Sequence, residues 1–114
     1  MGQETTCWIA FNDTLSYFWT ANSRTHSISS FSFDSTTGSA TLLRPDEVVR
    51  IDANGLPASA PIDIAASPDG QYIYQLFRTE TVGVYAINDD GSLTLIEEQD
   101  GALPNVGTQG IVAR

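Results

Sequence analysis

Ile64-Ala65-Ala66-Ser67-Pro68-Asp69-Gly70-Gln71-Tyr72-Ile73-Tyr74 reads as a strand, a tight turn and a second strand. Ser-Pro-Asp-Gly suits a type I turn, because proline presets the backbone at the second position and glycine closes it. The flanking runs are short, apolar and rich in aromatic and β-branched residues, which favours strands over helices. Downstream, Thr81-Val82-Gly83-Val84-Tyr85-Ala86-Ile87 is a third strand. Asn88-Asp89-Asp90-Gly91 then supplies the positive-φ residue a hairpin needs, and Ser92-Leu93-Thr94-Leu95-Ile96 is a fourth strand.

The same order occurs about 54 residues earlier, which marks an internal repeat. Ile9-Ala10-Phe11-Asn12-Asp13 leads to Tyr17-Phe18-Trp19, then to Ser27-Ile28-Ser29-Ser30-Phe31-Ser32-Phe33. Asp34-Ser35-Thr36-Thr37-Gly38 and Ser39-Ala40-Thr41-Leu42-Leu43 complete that copy. Four short antiparallel strands per unit, stated twice, predict an all-β fold of two β-propeller blades. The strands are expected at residues 6–11, 15–21, 26–33 and 39–43, then 61–66, 71–77, 81–87 and 92–98.

The chain divides into a polar leader (1–5), a first blade (6–43), a connection (44–60), a second blade (61–98) and a tail (99–114). Within the connection, Val48-Val49-Arg50-Ile51 has the character of a short extra strand. In the tail, Gly110-Ile111-Val112-Ala113 echoes Asp63-Ile64-Ala65-Ala66, so residues 108–113 are expected to form one extra terminal strand. Propellers close with about 4–8 blades. Two blades plus a strand therefore read as an incomplete propeller, completed by further blades in the same polypeptide or by homo-oligomerisation. Collapse of the two sheets into a sandwich is the other outcome. Tyr17-Phe18-Trp19 and Tyr72-Ile73-Tyr74 are apolar on both faces, as befits strands packed between neighbouring sheets.

The 114 residues carry 14 Asp and Glu against five Arg, with no Lys, for a formal charge of −9. Such a surface repels phosphate backbones and anionic lipids, so neither nucleic acid nor a membrane is an expected partner. Without lysine there is no Schiff-base chemistry and no Walker-type phosphate loop. Cys7 is the sole cysteine and reads as a small buried hydrophobe in the first strand. No metal site and no cofactor are expected. The leader is polar and unlike a secretory signal, and no stretch approaches the ~20 apolar residues of a membrane span. Asn12-Asp13-Thr14 matches a glycosylation sequon, but its place in a repeat turn favours a chance match.

The Ser67–Tyr74 hairpin, the Val82-Gly83-Val84-Tyr85 strand, the Asp90-Gly91-Ser92-Leu93-Thr94 turn and the Leu103-Pro104…Gln109-Gly110-Ile111-Val112-Ala113 tail resemble one family. It is the lactonase-type seven-bladed propeller family, also called YVTN-repeat or 6-phosphogluconolactonase-like, with the carboxymuconate-lactonizing enzymes among its members. The resemblance covers nearly the whole chain and rests on structural residues that recur in every blade. It implies a lactone hydrolase or a lactonizing isomerase acting on a small carboxylated or lactone metabolite, with ligands held by side chains drawn from several blades.

The resemblance also implies that ligands lie at the end bearing the second-to-third strand turns. There the sequence offers Asn22-Ser23-Arg24-Thr25-His26 and Phe77-Arg78-Thr79-Glu80. Arg24 and Arg78 are expected at one repeat position, with His26 matched by Glu80. Two readings stand. In one, Arg24 and Arg78 form a cationic lip for a carboxylate or lactone oxygen, with His26 as general acid or base. In the plainer one, each Arg lies over its turn and pairs with an acid such as Glu80, and His26 is a turn residue. Asp46, Glu47 and Asp52 lack the spacing of a calcium loop and read as a solvated segment. Trp8 and Trp19 are expected between the blades rather than in a sugar platform. A non-catalytic propeller that binds or scaffolds is the competing function.

Overall fold

The computed structural model describes residues 5–49, 54, 60–78, 81–99 and 111–113. Eight strands run in order: β1 (Thr6–Phe11), β2 (Tyr17–Asn22), β3 (Ser27–Asp34), β4 (Ser39–Val49), β5 (Pro61–Ala66), β6 (Tyr72–Phe77), β7 (Thr81–Ile87) and β8 (Leu93–Gln99). They form two four-stranded sheets, β1-β2-β3-β4 and β5-β6-β7-β8, with every neighbouring pair antiparallel. Among the described residues there is no helix. The fold is the expected pair of propeller blades, and β5 packs beside β1 and β2.

The repeat is visible in the hydrogen bonds. The β1–β2 turn is closed by Asn12 N–H to Tyr17 O (3.0 Å), and the β5–β6 turn by Ser67 N–H to Tyr72 O (2.8 Å). Asn12 Oδ1 accepts the amides of Ser16 and Tyr17, both at 2.9 Å. Ser67 Oγ accepts those of Gln71 and Tyr72 at 3.2 and 2.9 Å. An amide oxygen in one copy thus does the work of a hydroxyl in the other. The position that Gly70 fills with φ 71° is filled in the first copy by Leu15 with φ 55°. This is why β2 starts at Tyr17 and not at Leu15.

Both first strands also carry a bulge at the same place, between Thr6 and Trp8 and between Pro61 and Asp63. The fourth strands differ. β4 runs eleven residues to Val49, well past the expected end at Leu43, and absorbs Val48 and Val49 as partners of Ile28 and Ser27. Two register shifts opposite Ser30 take up the extra residues, and they accommodate Pro45, which has no N–H to give a ladder.

Residues directly opposite one another in a sheet share a face. Ala10, Trp19, Ala21 and Ile28 of the first sheet pack against Ile64, Ile73 and Tyr85 of the second, and this is the core. Trp19 is completely buried, and Trp8 is half-buried against the same cluster. Each fully buried apolar side chain contributes about 1.5–3 kcal/mol, so this seam holds the two blades together. The opposite face of the first sheet carries Ile9, Phe11, Phe18, Phe31, Phe33 and Leu42. Phe18 and Phe31 stack in parallel at 4.6 Å, Phe11 is tilted on Phe18, and Phe33 meets Phe11 and Phe18 edge-on.

Two expectations are corrected or limited. Cys7 is exposed, because the bulge turns it away from the seam, and its Sγ donates to Thr5 O at 3.3 Å. Of the expected terminal strand, Ile111, Val112 and Ala113 are described. Ile111 N–H donates to Asp63 Oδ2 at 2.7 Å, which holds the segment beside β5.

Candidate functional site

The β2–β3 and β6–β7 turns lie at the same end of the two sheets and converge on one short stretch of backbone. Ser23 Oγ donates to Pro61 O at 2.8 Å, and Arg78 N–H donates to Ala60 O at 2.9 Å. Arg24, His26 and Arg78 are therefore carried at one end of the molecule on turns tied to adjacent residues, 60 and 61. Arg24 and Arg78 are exposed and His26 is half-buried. Glu80 lies outside the described residues.

The register corrects one detail of the sequence reading. Ser23 N–H donates to Thr5 O at 3.0 Å, as Arg78 N–H does to Ala60 O, so Arg78 is the counterpart of Ser23 and not of Arg24. The pairs Asn22 with Ser27 and Phe77 with Thr81 leave four turn residues in the first blade and three in the second. The longer turn places its last residue, His26, at φ 56°, a left-handed conformation uncommon outside glycine but one that histidine adopts more readily than most residues. Arg24 thus lies one residue beyond the position that matches Arg78.

Beneath this turn lies a polar network that the sequence reading missed. Asn22 is fully buried. Its Oδ1 accepts Thr6 Oγ1 (2.7 Å) and Thr20 Oγ1 (3.2 Å), while its Nδ2 donates to Ser29 Oγ (2.8 Å) and Ser27 Oγ (3.3 Å). Ser29 Oγ donates onward to Pro45 O at 2.7 Å. The available signal was polar residues at alternate positions, 20 and 22 facing 27 and 29, inside otherwise apolar strands. In the second blade one atom breaks this economy. Gln75, the counterpart of Thr20, is fully buried, and its Oε1 has no partner although its Nε2 donates to Asp63 O and Leu76 O.

The other candidates have structural duties. The Glu47 side chain is 3% exposed; its Oε1 accepts Leu93 N–H, and Oε2 lies 3.5 Å from Arg44 Nη1. It clamps β4 to β8 at the edge of a cleft of about 400 Å³ lined by Val48, Val49, Tyr85, Leu93, Leu95 and Glu98. None of the rim residues lines that cleft. Asp46 is exposed, and Asp52 lies outside the described residues. Among the described residues no three acidic, His or Cys side chains are grouped to hold a metal. The sequon asparagine, Asn12, is 8% exposed, and its Nδ2 donates to Thr14 and Ser16, so its amide is committed to the turn.

Chemically, the rim carries two guanidinium groups, which favour bidentate carboxylate recognition, and one imidazole.

Solved structures share the fold. A protein from Lactobacillus plantarum is 28% identical with a TM-score of 0.68, over 81% of this chain and 27% of its own. A Bacteroides uniformis protein, a candidate 6-phosphogluconolactonase by its description, is 21% identical with a TM-score of 0.66, over 84% of this chain and 27% of its own. The periplasmic gluconolactonase of Pseudomonas aeruginosa is 14% identical with a TM-score of 0.65, over 81% of this chain and 25% of its own. The chain thus spans about a quarter of the length of these relatives. No curated protein matches it in sequence. The family model described as lactonase, 7-bladed β-propeller, matches residues 8–104, most of the chain, and the protein belongs to that family.

Proposed function

We propose that this chain supplies part of the ligand-binding rim of a lactonase-type propeller that acts on a small carboxylated or lactone metabolite. The observation that carries the reading is the convergence of the turns bearing Arg24, His26 and Arg78 on Ala60 and Pro61, within a chain of the lactonase family. Guanidinium groups there would hold a carboxylate or a lactone oxygen, and His26 would move the proton. Two blades do not enclose a channel, so activity requires further blades, in the same polypeptide or from other copies.

The test is lactone hydrolysis by the completed propeller, with Arg24→Ala, His26→Ala and Arg78→Ala variants. The reading expects turnover that falls by about 10²-fold or more when His26 is removed. A completed propeller inactive on every lactone offered would sink the enzyme reading. A non-catalytic binding module is the second reading. It is favoured by the non-equivalence of Arg24 and Arg78, which leaves the rim without a repeated pair. Loss of ligand binding in the variants of an inactive propeller would support it.

A further inference from the structure

We propose that Asn22 is a positioning residue for His26, and that the β2–β3 turn is anchored in two independent halves, one carrying Arg24 and the other His26. This role rests on the rim reading for its chemistry and on the turn alone for its geometry. Ser23 holds the first half. Its N–H donates to Thr5 O at 3.0 Å and its Oγ to Pro61 O at 2.8 Å, and the exposed Arg24 follows directly. Neither bond involves Asn22.

Asn22 holds the second half. Its Nδ2 donates to Ser27 Oγ at 3.3 Å, and Ser27 Oγ shares a further hydrogen bond with Thr25 Oγ1 at 3.2 Å. His26 thus stands between two residues tied to one another and, through Ser27, to a fully buried amide. Left-handed backbone is sparsely populated by residues with a side chain and persists where the surroundings fix it. The clamp on either side of His26 supplies that constraint at its φ of 56°.

The repeat supplies the control. Phe77 ends β6 as Asn22 ends β2, the one opposite Thr81 and the other opposite Ser27. Phe77 is 1% exposed, so an apolar side chain satisfies the fold at this position. The counterparts of Thr20 and Ser29 are Gln75 and Gly83, and no such hub can form where Phe77 has no polar atom and Gly83 no side chain. The hub therefore belongs to the blade that carries the longer turn and the histidine. A buried polar cluster is unfavourable unless its members are paired, and once paired it is rigid. Asn22 meets that condition, with Thr6 and Thr20 donating to its Oδ1 and Ser27 and Ser29 accepting from its Nδ2. Rigidity beneath the group that would move the proton has a chemical use, because a misplacement of about 1 Å can cost roughly 10²-fold in rate.

Nuclear magnetic resonance of the full chain tests this without any ligand, because His26 is the only histidine and its imidazole signal is unambiguous. In the wild type its Cα and Cβ shifts are expected to report left-handed backbone. Asn22→Ala is expected to move them toward averaged values and to broaden the ring signal. Ser27→Ala, a milder change, is expected to do the same and replaces Asn22→Ala should that variant not fold. Ser29→Ala removes an Asn22 bond on the strand side; it is expected to lower the melting temperature and leave the His26 signals in place. Unmoved His26 shifts in the folded Asn22→Ala or Ser27→Ala chain, or an equal displacement in Ser29→Ala, overturn the proposal. In the completed propeller Asn22→Ala is expected to lower kcat by roughly 10²-fold with KM kept, and Ser23→Ala to raise KM with kcat kept. The reverse split also overturns it, whereas a wild-type propeller without turnover sinks the lactone reading alone and leaves the resonance result to decide.

Discussion

The indole Nε1 of Trp19 donates to the carbonyl of Gly91 across the seam between the sheets, at 3.0 Å. The largest buried side chain of the first blade is thereby anchored on a turn of the second. Trp19→Phe keeps most of the apolar volume and deletes the donor, leaving a buried carbonyl short of a partner. The expected loss is about 1–3 kcal/mol. Trp19→Ala also opens a cavity and should cost about 3–5 kcal/mol. Denaturant unfolding followed by far-UV circular dichroism measures both; equal losses would show that the bond contributes nothing.

Gly91 is constrained twice. Its φ is 81°, and a Cβ there would come within 2.5 Å of Tyr17 Cδ1. Tyr17 is itself held by its hydroxyl on Asp89 O at 3.1 Å. Gly91→Ala should therefore destabilise by about 1–3 kcal/mol from backbone conformation alone, with the steric contact adding to it. Gly38 has a similar φ of 77° with open space around it, so Gly38→Ala should show the conformational part only. Comparing the two melting temperatures separates strain from contact.

Leu15 offers the opposite experiment. It holds the left-handed conformation that Gly70 holds in the other copy, and its side chain is 48% exposed. Leu15→Gly relieves strain at little cost in burial and is expected to stabilise by about 0.5–1 kcal/mol, after the extra entropy of an unfolded glycine. A lower unfolding midpoint would contradict this.

Three turn carboxylates are held below the ordinary range. The Ser67 hydroxyl and then the Gln71 amide lower Asp69; the Ser92 hydroxyl and amide, then Arg44, lower Asp90. The Thr36 amide and then the Thr37 hydroxyl lower Asp34. A carboxylate with a depressed folded value contributes stability that is present above its unfolded value. That stability is lost as pH falls through the folded value. Acid destabilisation should thus begin near the unfolded value of about 3.9 and grow below it. Asp69→Asn should flatten part of that dependence when melting temperature is followed from neutral pH downward.

The parts of this fold that were legible were those where chemistry forces a conformation. Ser67-Pro68-Asp69-Gly70 announces its turn, and through it the repeat. The end of the fourth strand was not legible: it is expected at residue 43, yet β4 continues through Pro45 to Val49 because two register shifts absorb the missing donor. The alignment of Arg24 with Arg78 failed by one residue, because the turn lengths are set by which strand residues pair, and pairing is not written in the turns themselves. Asn22 was invisible as a hub because its four partners come from three strands that only folding assembles.

The unequal rim turns, four residues against three, leave the strand pairing on either side undisturbed. At the opposite end the β1–β2 and β5–β6 turns keep one spacing and one hydrogen-bond plan, even where asparagine replaces serine, whereas the β3–β4 turn is closed by Gly38 N–H on Asp34 O and the β7–β8 turn by Gly91 N–H on Asn88 O, one residue shorter. A one-residue change of length is thus tolerated in a turn at each end of the blade, while the β1–β2 and β5–β6 turns enforce a constant frame. Turn length can therefore drift from blade to blade without renegotiating how the paired strands fit.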